Sequence, residues 1–421
     1  MAQTELERTR ECLLRVGAAL LAGGAPGPEV EEQVVAIGRL RGIPDVRAAA
    51  TPTGVFVSTT PEHTVAFEPV TGTLRFEQTT LVQDVIDRLV AHRLDPSAAV
   101  AELTAIEQLP PSRPAWLCDL AIGPIAVGIC AILQPTWRDL GAAAVGSLLL
   151  VALVNLSRRS PLVRTLLPLL AAFAVTSIVL QLAVWWPLDG TLRTVVSTIA
   201  VLLPGSMIVT GMTEIATGAA VAGSSRLVSG TVQLVLFAVG MFAAVAVRGA
   251  PLTVLTNARA DDLNPVAPFV GILLVGIGIV INVAASRPAI PWILAVLLLT
   301  FAVQYAGQSV WGVTLGALAA SAVAGLSASI VPWLSGRPLR LVVYLPAFWL
   351  LVPGSLGLLS TAQIATGRAD LSAVTGAVAA AVAIVVGTLA GSAAGRALDR
   401  WLGRRAPGRA DVAEVPDVER R

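Results

Sequence analysis

Two copies of one motif carry the side chains best suited to bind a small polar ligand. Residues 204–218 read PGSMIVTGMTEIATG and residues 353–367 read PGSLGLLSTAQIATG, an offset of 149 residues. Aligned without a gap, seven of the fifteen positions are identical, and both copies end long apolar segments. Polar, helix-breaking motifs at matching places in two apolar halves are typical of a transporter with an internal repeat.

Each copy opens with three residues that we expect to interrupt a membrane helix. They are Pro204, Gly205 and Ser206 in the first copy, and Pro353, Gly354 and Ser355 in the second. Proline lacks a backbone donor and clashes with the preceding turn, and glycine adds conformational freedom. The freed amides and carbonyls suit the carboxylate and the ammonium of a zwitterionic ligand. The alternative is an ordinary proline kink that only lets helices pack.

One acid and its neighbours could supply the chemistry of these motifs. Glu214 is the only glutamate between residues 116 and 395, and it corresponds to Gln363 in the second copy. An acid inside a membrane span is a functional hypothesis by default, here as a proton carrier or as the partner of a substrate amine. The hydroxyl of Thr210, one turn earlier, could add a contact. The alternative for Glu214 is a solvated acid at the end of its span.

The uneven distribution of charged residues divides the chain into regions, and the fold of these regions must position the two motifs. The 421 residues are 55% hydrophobic and 13% charged, whereas a soluble domain is about 25% charged. Only seven of the 27 acidic residues lie between residues 116 and 395. We expect a cytoplasmic α+β domain over 1–108, a linker over 109–115, a first transmembrane repeat over 116–247, a loop over 248–265, a second repeat over 266–395 and a cytoplasmic tail over 396–421.

The N-terminal domain is expected to mix helices with short strands. Apolar periodicity predicts helices over residues 4–22 and 29–42. Residues 46–78 contain four β-type runs separated by turns, VRAAA, GVFVST, TVAFE and TLRFEQ. Two further helices follow over residues 81–92 and 97–109. A domain of about 108 residues is large enough for a modest hydrophobic core.

Ten apolar segments follow, each about long enough to cross a bilayer core, which takes about 20 residues. They cover residues 116–133, 139–156, 165–186, 194–212, 227–247, 266–286, 289–307, 310–331, 338–360 and 371–394. A repeat with five spans enters and leaves on opposite sides, so its second copy must be inserted upside down. The predicted fold is a mainly α membrane protein with about ten transmembrane helices as two inverted five-helix repeats.

Arginines predict the orientation in a cell membrane. With the N-terminus inside, the inner loops hold seven arginines and the outer loops five, and further arginines flank the first and last spans. The positive-inside rule then places both termini in the cytoplasm. With this orientation, Arg226 is an anchor on the inner side of the membrane, at the start of the fifth span. Asp119, at the start of the first span, is expected to be interfacial.

The sequence gives no sign of a cofactor, a metal site or a nucleic-acid partner. Cys12, Cys118 and Cys130 have neither pairing nor metal-binding spacing, and the net charge is only +2. His63 and His92 are expected to be solvated, and no nucleophile–base pair is evident, so we expect no enzyme. Two alternatives remain, a membrane-anchored hydrolase and a sensor, and in both the N-terminal domain would carry the activity.

The motifs together resemble the threonine/serine exporter family over almost the whole chain. The resemblance rests on residues 24–32 and 51–54 in the N-terminal part, and on Pro204-Gly205, Gly218, Gly223, Arg226 and Pro353-Gly354 in the membrane part. Two positions depart from the family pattern. The family acid is usually aspartate and is Glu214 here, and a position that commonly bears an amide is Thr210.

This resemblance implies export of threonine and serine across a lipid bilayer in exchange for protons. The substrate is then a small amino acid, the coupling ion is the proton, and a homo-oligomer is allowed. We predict that the amino acid binds near the crossing of the two Pro-Gly-Ser breaks, with Glu214 nearby as its proton or amine partner.

Overall fold

The computed structural model describes most of the chain. The described residues are 2–59, 65–134, 136–255, 263, 265–335, 340–351 and 371–403. Pro353, Gly354, Ser355 and Gln363, which form the second copy of the predicted site, lie outside these ranges. His63 and most of the tail from residue 396 lie outside them as well.

The described part of residues 2–107 forms four helices and a three-stranded antiparallel sheet. The helices are α1 (Ala2–Ala22), α2 (Gly27–Leu40), α3 (Phe76–Val90) and α4 (Pro96–Glu107), and the strands are β1 (Arg47–Thr51), β2 (Gly54–Ser58) and β3 (Ala66–Pro69). The strands pair in the order β1-β2-β3. Because side chains alternate along a strand, Val55 and Val57 of β2 enter a core shared with Leu13 and Val34. The predicted mixture of helix and strand is present, and its independence as a soluble domain stays a prediction.

The fourth predicted β-type run, residues 73–78, is wrong as a strand because α3 begins within it. Gln78 Oε1 accepts the backbone N–H of Arg75 at 2.9 Å. Gln78 Nε2 donates to the carbonyl of Ile106 at 2.7 Å. The first bond satisfies a donor at the start of the helix, and the second ties that start to the end of α4. These contacts override the alternating pattern.

The linker that follows α4 is fixed to both parts of the molecule. The backbone N–H of Ser112 donates to Glu77 Oε1 at 3.3 Å. Burial opposes ionisation of Glu77, but hydrogen bonds from Ser112 and Arg75 outweigh it and lower the pKa of that carboxyl. Arg113 Nη1 donates to the carbonyl of Val280 at 2.8 Å. The linker therefore holds the N-terminal part against the membrane part.

The remainder of the described chain is helical and apolar. Its helices are α5 (Ala115–Leu120), α6 (Ile122–Leu133), α7 (Trp137–Arg159), α8 (Pro161–Trp185), α9 (Thr191–Ile199), α10 (Gly205–Ala216), α11 (Ala220–Val247), α12 (Ala267–Asn282), α13 (Ile290–Ser335), α14 (Arg340–Leu351) and α15 (Leu371–Gly403). Among the described residues, six helices are long and apolar enough to cross a membrane when α13 is counted once, or seven if the bent α9–α10 pair counts as one span. The protein is thus a multi-pass membrane protein, and the count of ten spans stays a prediction.

Helix α13 consists of two segments folded back on each other. Gly312 has φ 83°, a left-handed value that glycine adopts without steric cost. A Cβ on Gly307 would lie 2.8 Å from Gly316 Cα, although nine residues of straight helix would span about 13 Å. The chain therefore reverses at Gly312, between the segments predicted over residues 289–307 and 310–331.

Candidate functional site

The first Pro-Gly-Ser motif interrupts a helix as predicted. Helix α9 ends at Ile199, a 3-10 turn covers Ala200–Leu202, and α10 begins at Gly205. The two helices are bent by 64° relative to each other. Pro204 precedes α10 without a side-chain cap, and its ring cannot donate a hydrogen bond to the previous turn. Whether this break binds a ligand stays a prediction.

Glu214 is fully buried near the end of α10. Its side chain is 0% exposed, which excludes a solvated loop acid. Its Oε1 atom accepts the backbone N–H of Gly27 at 3.0 Å. Its Oε2 atom lies 3.0 Å from Arg226 Nε, as an ion pair and not along a linear hydrogen bond. One carboxylate thus joins α10, the start of α2 and α11.

A close approach of two helices brings Glu214 and Arg226 together. A Cβ on Gly211 would lie 2.7 Å from the Gly223 carbonyl oxygen, and a Cβ on Gly223 would lie 2.5 Å from the Gly211 carbonyl oxygen. Only glycines allow α10 and α11 to approach so closely. Arg226 Cβ lies 3.2 Å from the same Cβ position on Gly211. The arginine can therefore lie along α10 and reach the carboxylate one turn away.

A cavity of about 640 Å³ opens beside this pair, between α2 and the membrane helices. Helix α10 lines it with Thr210, Thr213, Glu214 and Thr217. Their spacing of three, four and seven residues places them on one helical face. The other lining residues come from the N-terminal part and from α13–α15: Gly24, Pro26, Pro28, Glu29, Glu32, Gln33, Ala36, Ala328, Tyr344, Leu345, Thr388, Leu389, Ser392 and Arg396.

The lining combines both charges with many hydroxyls. Glu29 and Glu32 extend from α2, and Gln33 Nε2 donates to Glu29 Oε1 at 3.5 Å. Arg396 lies in the same lining, on α15. Carboxylates bind ammonium groups, a guanidinium binds a carboxylate, and threonine, serine and tyrosine hydroxyls both donate and accept hydrogen bonds. The cavity can therefore pair every polar group of a hydroxylated amino acid.

The structure separates the predicted site residues into two groups. Thr210 and Glu214 line the cavity, whereas Pro204, Gly205 and Ser206 do not. Pro204 and Gly205 are buried at the break. Ser206 lies four residues before Thr210, on the same helical face and one turn nearer the break.

Two charged residues have ion-pair partners that the sequence did not indicate, and their positions relative to a membrane stay predictions. Arg226, expected to be an inner-side anchor, is the ion-pair partner of Glu214. Asp119, expected to be interfacial, is 3% exposed, and its carboxylate accepts two hydrogen bonds from Arg158 at 2.6 and 2.8 Å. Burial of each carboxylate is offset by a guanidinium.

Sequence reasoning also missed the contribution of α2 and α15 to the cavity. Glu29 and Glu32 follow Pro28, so the predicted helix start already placed two acids on the first turns of α2. Nothing in that pattern indicated that these turns lie against α10. The contact joins residues 187 positions apart, and local patterns carry no signal for such a pairing.

The fold and this site define a multi-pass helical membrane protein whose N-terminal part closes one side of a polar cavity. Residues 11–248 match the sequence profile of the ThrE family, described as "Putative threonine/serine exporter". The chain belongs to this family. No curated protein and no solved structure shows a significant match to it.

Proposed function

We propose that this protein is a secondary transporter that exports threonine and serine from the cytoplasm in exchange for protons. The observation that carries the proposal is the cavity between α2 and α10, which places buried Glu214 among acids, a guanidinium and hydroxyls. Its volume of about 640 Å³ lies within the range of about 300–1,000 Å³ that is usual for small-molecule sites.

The lining suits a hydroxylated zwitterion. The ammonium group of the substrate pairs with Glu214 and with Glu29 of α2, and its carboxylate pairs with Arg396. The side-chain hydroxyl of threonine or serine exchanges hydrogen bonds with Thr210 or its neighbours on α10. A site that binds a hydroxyl in this way discriminates strongly against a substrate that lacks one, because its own polar groups would be left unpaired. Glu214 is the amine partner in this proposal.

Helix packing supports the inverted repeats that we propose for the membrane part. Gly128 of α6 packs on Gly271 of α12, and Ile125 of α6 packs on Gly278. Residue numbers fall along one helix as they rise along the other, so the first helices of the two halves run antiparallel, as inversion requires.

A second type of helix contact occurs once in each half of the membrane part. A Cβ on Gly240 of α11 would lie 2.3 Å from the carbonyl oxygen of Leu169, in α8. A Cβ on Gly387 of α15 would lie 2.3 Å from the carbonyl oxygen of Leu318, in α13. Leu169 and Leu318 are 149 residues apart, the offset of the two Pro-Gly-Ser copies, and Gly240 and Gly387 are 147 residues apart. We therefore propose that α8 with α11, and the second half of α13 with α15, are equivalent pairs.

The cavity belongs on the cytoplasmic side of a cell membrane in this proposal. The linker and α2 lie at the same end of the bundle as the Arg158–Asp119 pair and Arg226, and arginines concentrate on the inner side. Amino acid then enters the cavity from the cytoplasm beside the N-terminal domain.

Counterflow in proteoliposomes tests the proposed function. Vesicles that contain the purified full-length protein are loaded with unlabelled threonine and diluted into labelled threonine. We expect transient uptake of label that unlabelled serine suppresses. Valine, which has the shape of threonine without the hydroxyl, should suppress it at least about tenfold less well. Equal uptake by protein-free vesicles, or equal suppression by valine, would overturn the proposal.

A matched pair of variants tests the cavity itself. Glu29→Gln removes one acid from the cavity lining, whereas Glu7→Gln removes an exposed acid on α1 that lies outside that lining. We expect the first variant to raise the half-saturating threonine concentration by about tenfold, the cost of one charge-assisted hydrogen bond. The second variant should behave as the wild type. Equal behaviour of the two variants would remove the α2 acids from the binding site.

A further inference from the structure

A further buried carboxylate, besides Asp119 and Glu214, lies at the opposite end of the membrane part from Glu214. Asp139 is 0% exposed, in the first turn of α7. Its Oδ2 atom accepts the Thr136 hydroxyl at 2.5 Å, and its Oδ1 atom accepts the Thr194 hydroxyl at 2.6 Å. Within the described part of the chain it forms no ion pair, whereas Asp119 and Glu214 each have an arginine.

Helix geometry places this carboxylate far from the cavity. Helix α7 has 23 residues, which corresponds to about 34 Å at 1.5 Å per residue. Its far end carries Arg158, which pairs with Asp119 at the same end as the linker. Thr194 lies in α9, the first half of the bent pair whose second half carries Glu214. The two buried acids thus lie at opposite ends of the broken helix.

The surroundings of Asp139 accommodate both of its protonation states. In the charged state the Thr136 and Thr194 hydroxyls donate to its two oxygens. In the neutral state the carboxyl O–H can donate to Thr194 Oγ1, because the Thr194 hydroxyl has a second acceptor, the carbonyl of Gly190 at 3.1 Å. A buried polar group therefore stays paired in either state.

The nearby charged and titratable groups come from α6, α9, α7 itself and the loop before α9. Cys130 of α6 is buried. Arg193 of α9 donates through Nη1 to the carbonyl of Leu133 at 3.0 Å. Arg138 of α7 is exposed and donates to the carbonyl of Pro187 at 3.4 Å, and Asp189 of the loop is exposed.

Capping of α7 does not account for the carboxylate. The helix start is capped by Thr136, whose Oγ1 accepts the backbone N–H of Asp139 at 3.2 Å. That bond uses the main chain of Asp139 and would persist with any side chain. The position carries an acid although an amide could make similar hydrogen bonds, and an ionisable group in a membrane span marks a proton pathway by default.

We infer that Asp139 is the group that binds and releases the coupled proton. The inference rests on the proposed exchange of amino acid for protons, and it gives Asp139 and Glu214 different roles. Asp139 takes one proton from water at the end of the bundle remote from the N-terminal part, forming one O–H bond. The same proton leaves to water on the other side once the broken helix has rearranged, and the electron pair returns to the carboxylate. Glu214 stays charged beside Arg226 and serves the substrate amine.

Transport driven by a pH gradient tests this assignment in the full-length protein. Vesicles that are acidic inside should accumulate labelled threonine through the wild type as protons leave. Asp139→Asn should lose this accumulation while its threonine counterflow stays within about threefold of the wild type, because counterflow needs no net proton movement. Asp139→Glu should recover part of the gradient-driven uptake. Asp119→Asn, which alters a buried acid outside the proposed proton site, should retain gradient-driven uptake.

The outcomes separate this inference from the proposed function. Absent counterflow in the wild type overturns the proposed function itself. If the wild type shows counterflow, and a sodium gradient drives its uptake of threonine while a pH gradient does not, proton coupling is overturned and amino-acid export stands. Gradient-driven uptake that persists in Asp139→Asn overturns the assignment of Asp139 alone. If Asp139→Asn fails to fold, Thr194→Val is tested in its place. Loss of gradient-driven uptake with normal counterflow would support the assignment, and normal gradient-driven uptake would overturn it.

Discussion

The backbone N–H of Gly27 donates to the carboxylate of Glu214 at 3.0 Å, inside the protein. This bond joins the first turn of α2 to the last turn of α10, across the boundary between the N-terminal part and the membrane part. It lies beside the proposed substrate cavity, so α2 must stay in contact with α10 for the cavity to keep its present walls. The contact therefore makes α2 part of the wall of the cavity.

Gly27→Pro tests this contact. Proline removes the N–H and places its ring Cδ where the hydrogen pointed, so Glu214 Oε1 loses the bond and must move away. Proline is itself tolerated at the first turn of a helix. Pro26 already has φ −63° and ψ 146°, the extended conformation that a following proline favours. A hydrogen bond to a charged group contributes about 1.5–3 kcal/mol, so we expect hydrogen–deuterium exchange of α2 to accelerate by at least about tenfold.

Gly27→Ala is the matched control because it keeps the N–H. Its Cβ would lie 3.5 Å from Glu214 Oε1 and 3.6 Å from Ala50 Cβ, both ordinary contacts. Exchange in α2 should then match the wild type. Equal acceleration in the two variants would show that the side chain at this position matters and that the hydrogen bond does not.

The Glu214–Arg226 pair should be strongly coupled in stability. Removing one partner leaves the other charge in a largely buried place, since Arg226 is 22% exposed and Glu214 is 0% exposed. Breaking a buried pair costs about 3–5 kcal/mol, whereas replacing both partners is much cheaper. We expect Glu214→Gln and Arg226→Gln each to lower the thermal unfolding temperature in detergent, and the double variant to recover part of that loss. Additive losses would mean that the pair contributes no coupling.

Local sequence rules predicted the break and singled out the acid, but they could not supply its partners. Proline and glycine act on the turn that contains them, so the interruption of the helix at Pro204 could be predicted from the motif Pro-Gly-Ser alone. The partner Gly27 is 187 residues away and contributes a main-chain group that any residue except proline possesses. A tertiary contact of that kind leaves no trace in composition or periodicity.

Patterns of single residues do not show which side chains pair. The positive-inside rule predicts that Arg226 lies at the inner membrane surface, but it counts arginines without regard to their partners. The close approach of Gly211 and Gly223 turns it towards Glu214. Residues 73–78 alternate like a strand, but the side-chain bonds of Gln78 start a helix within them.

The stability of the N-terminal part should fall at alkaline pH through Cys12. Cys12 is 1% exposed, and burial raises the pKa of its thiol to about 12. An unfolded thiol ionises near pH 8.5, so deprotonation favours the unfolded chain as pH rises between these two values. The loss reaches about 2 kcal/mol near pH 10. Unfolding followed from neutral to alkaline pH should show this loss in the wild type, and it should be smaller by that amount in Cys12→Ala.

The glycine contact between α10 and α11 should be essential for the cavity. In Gly223→Ala the new Cβ would lie 2.5 Å from the Gly211 carbonyl oxygen and 2.8 Å from the Ile215 backbone nitrogen, so the helices must separate. Overpacking of this kind costs about 1–3 kcal/mol, and the separation should also weaken the Glu214–Arg226 pair. We expect a lower unfolding temperature together with lost threonine counterflow. Gly376→Ala is the control, because its Cβ meets nothing within 4 Å in α15 and alanine favours a helix by about 1 kcal/mol. Normal counterflow in Gly223→Ala would mean that the α10–α11 distance does not set the geometry of the site.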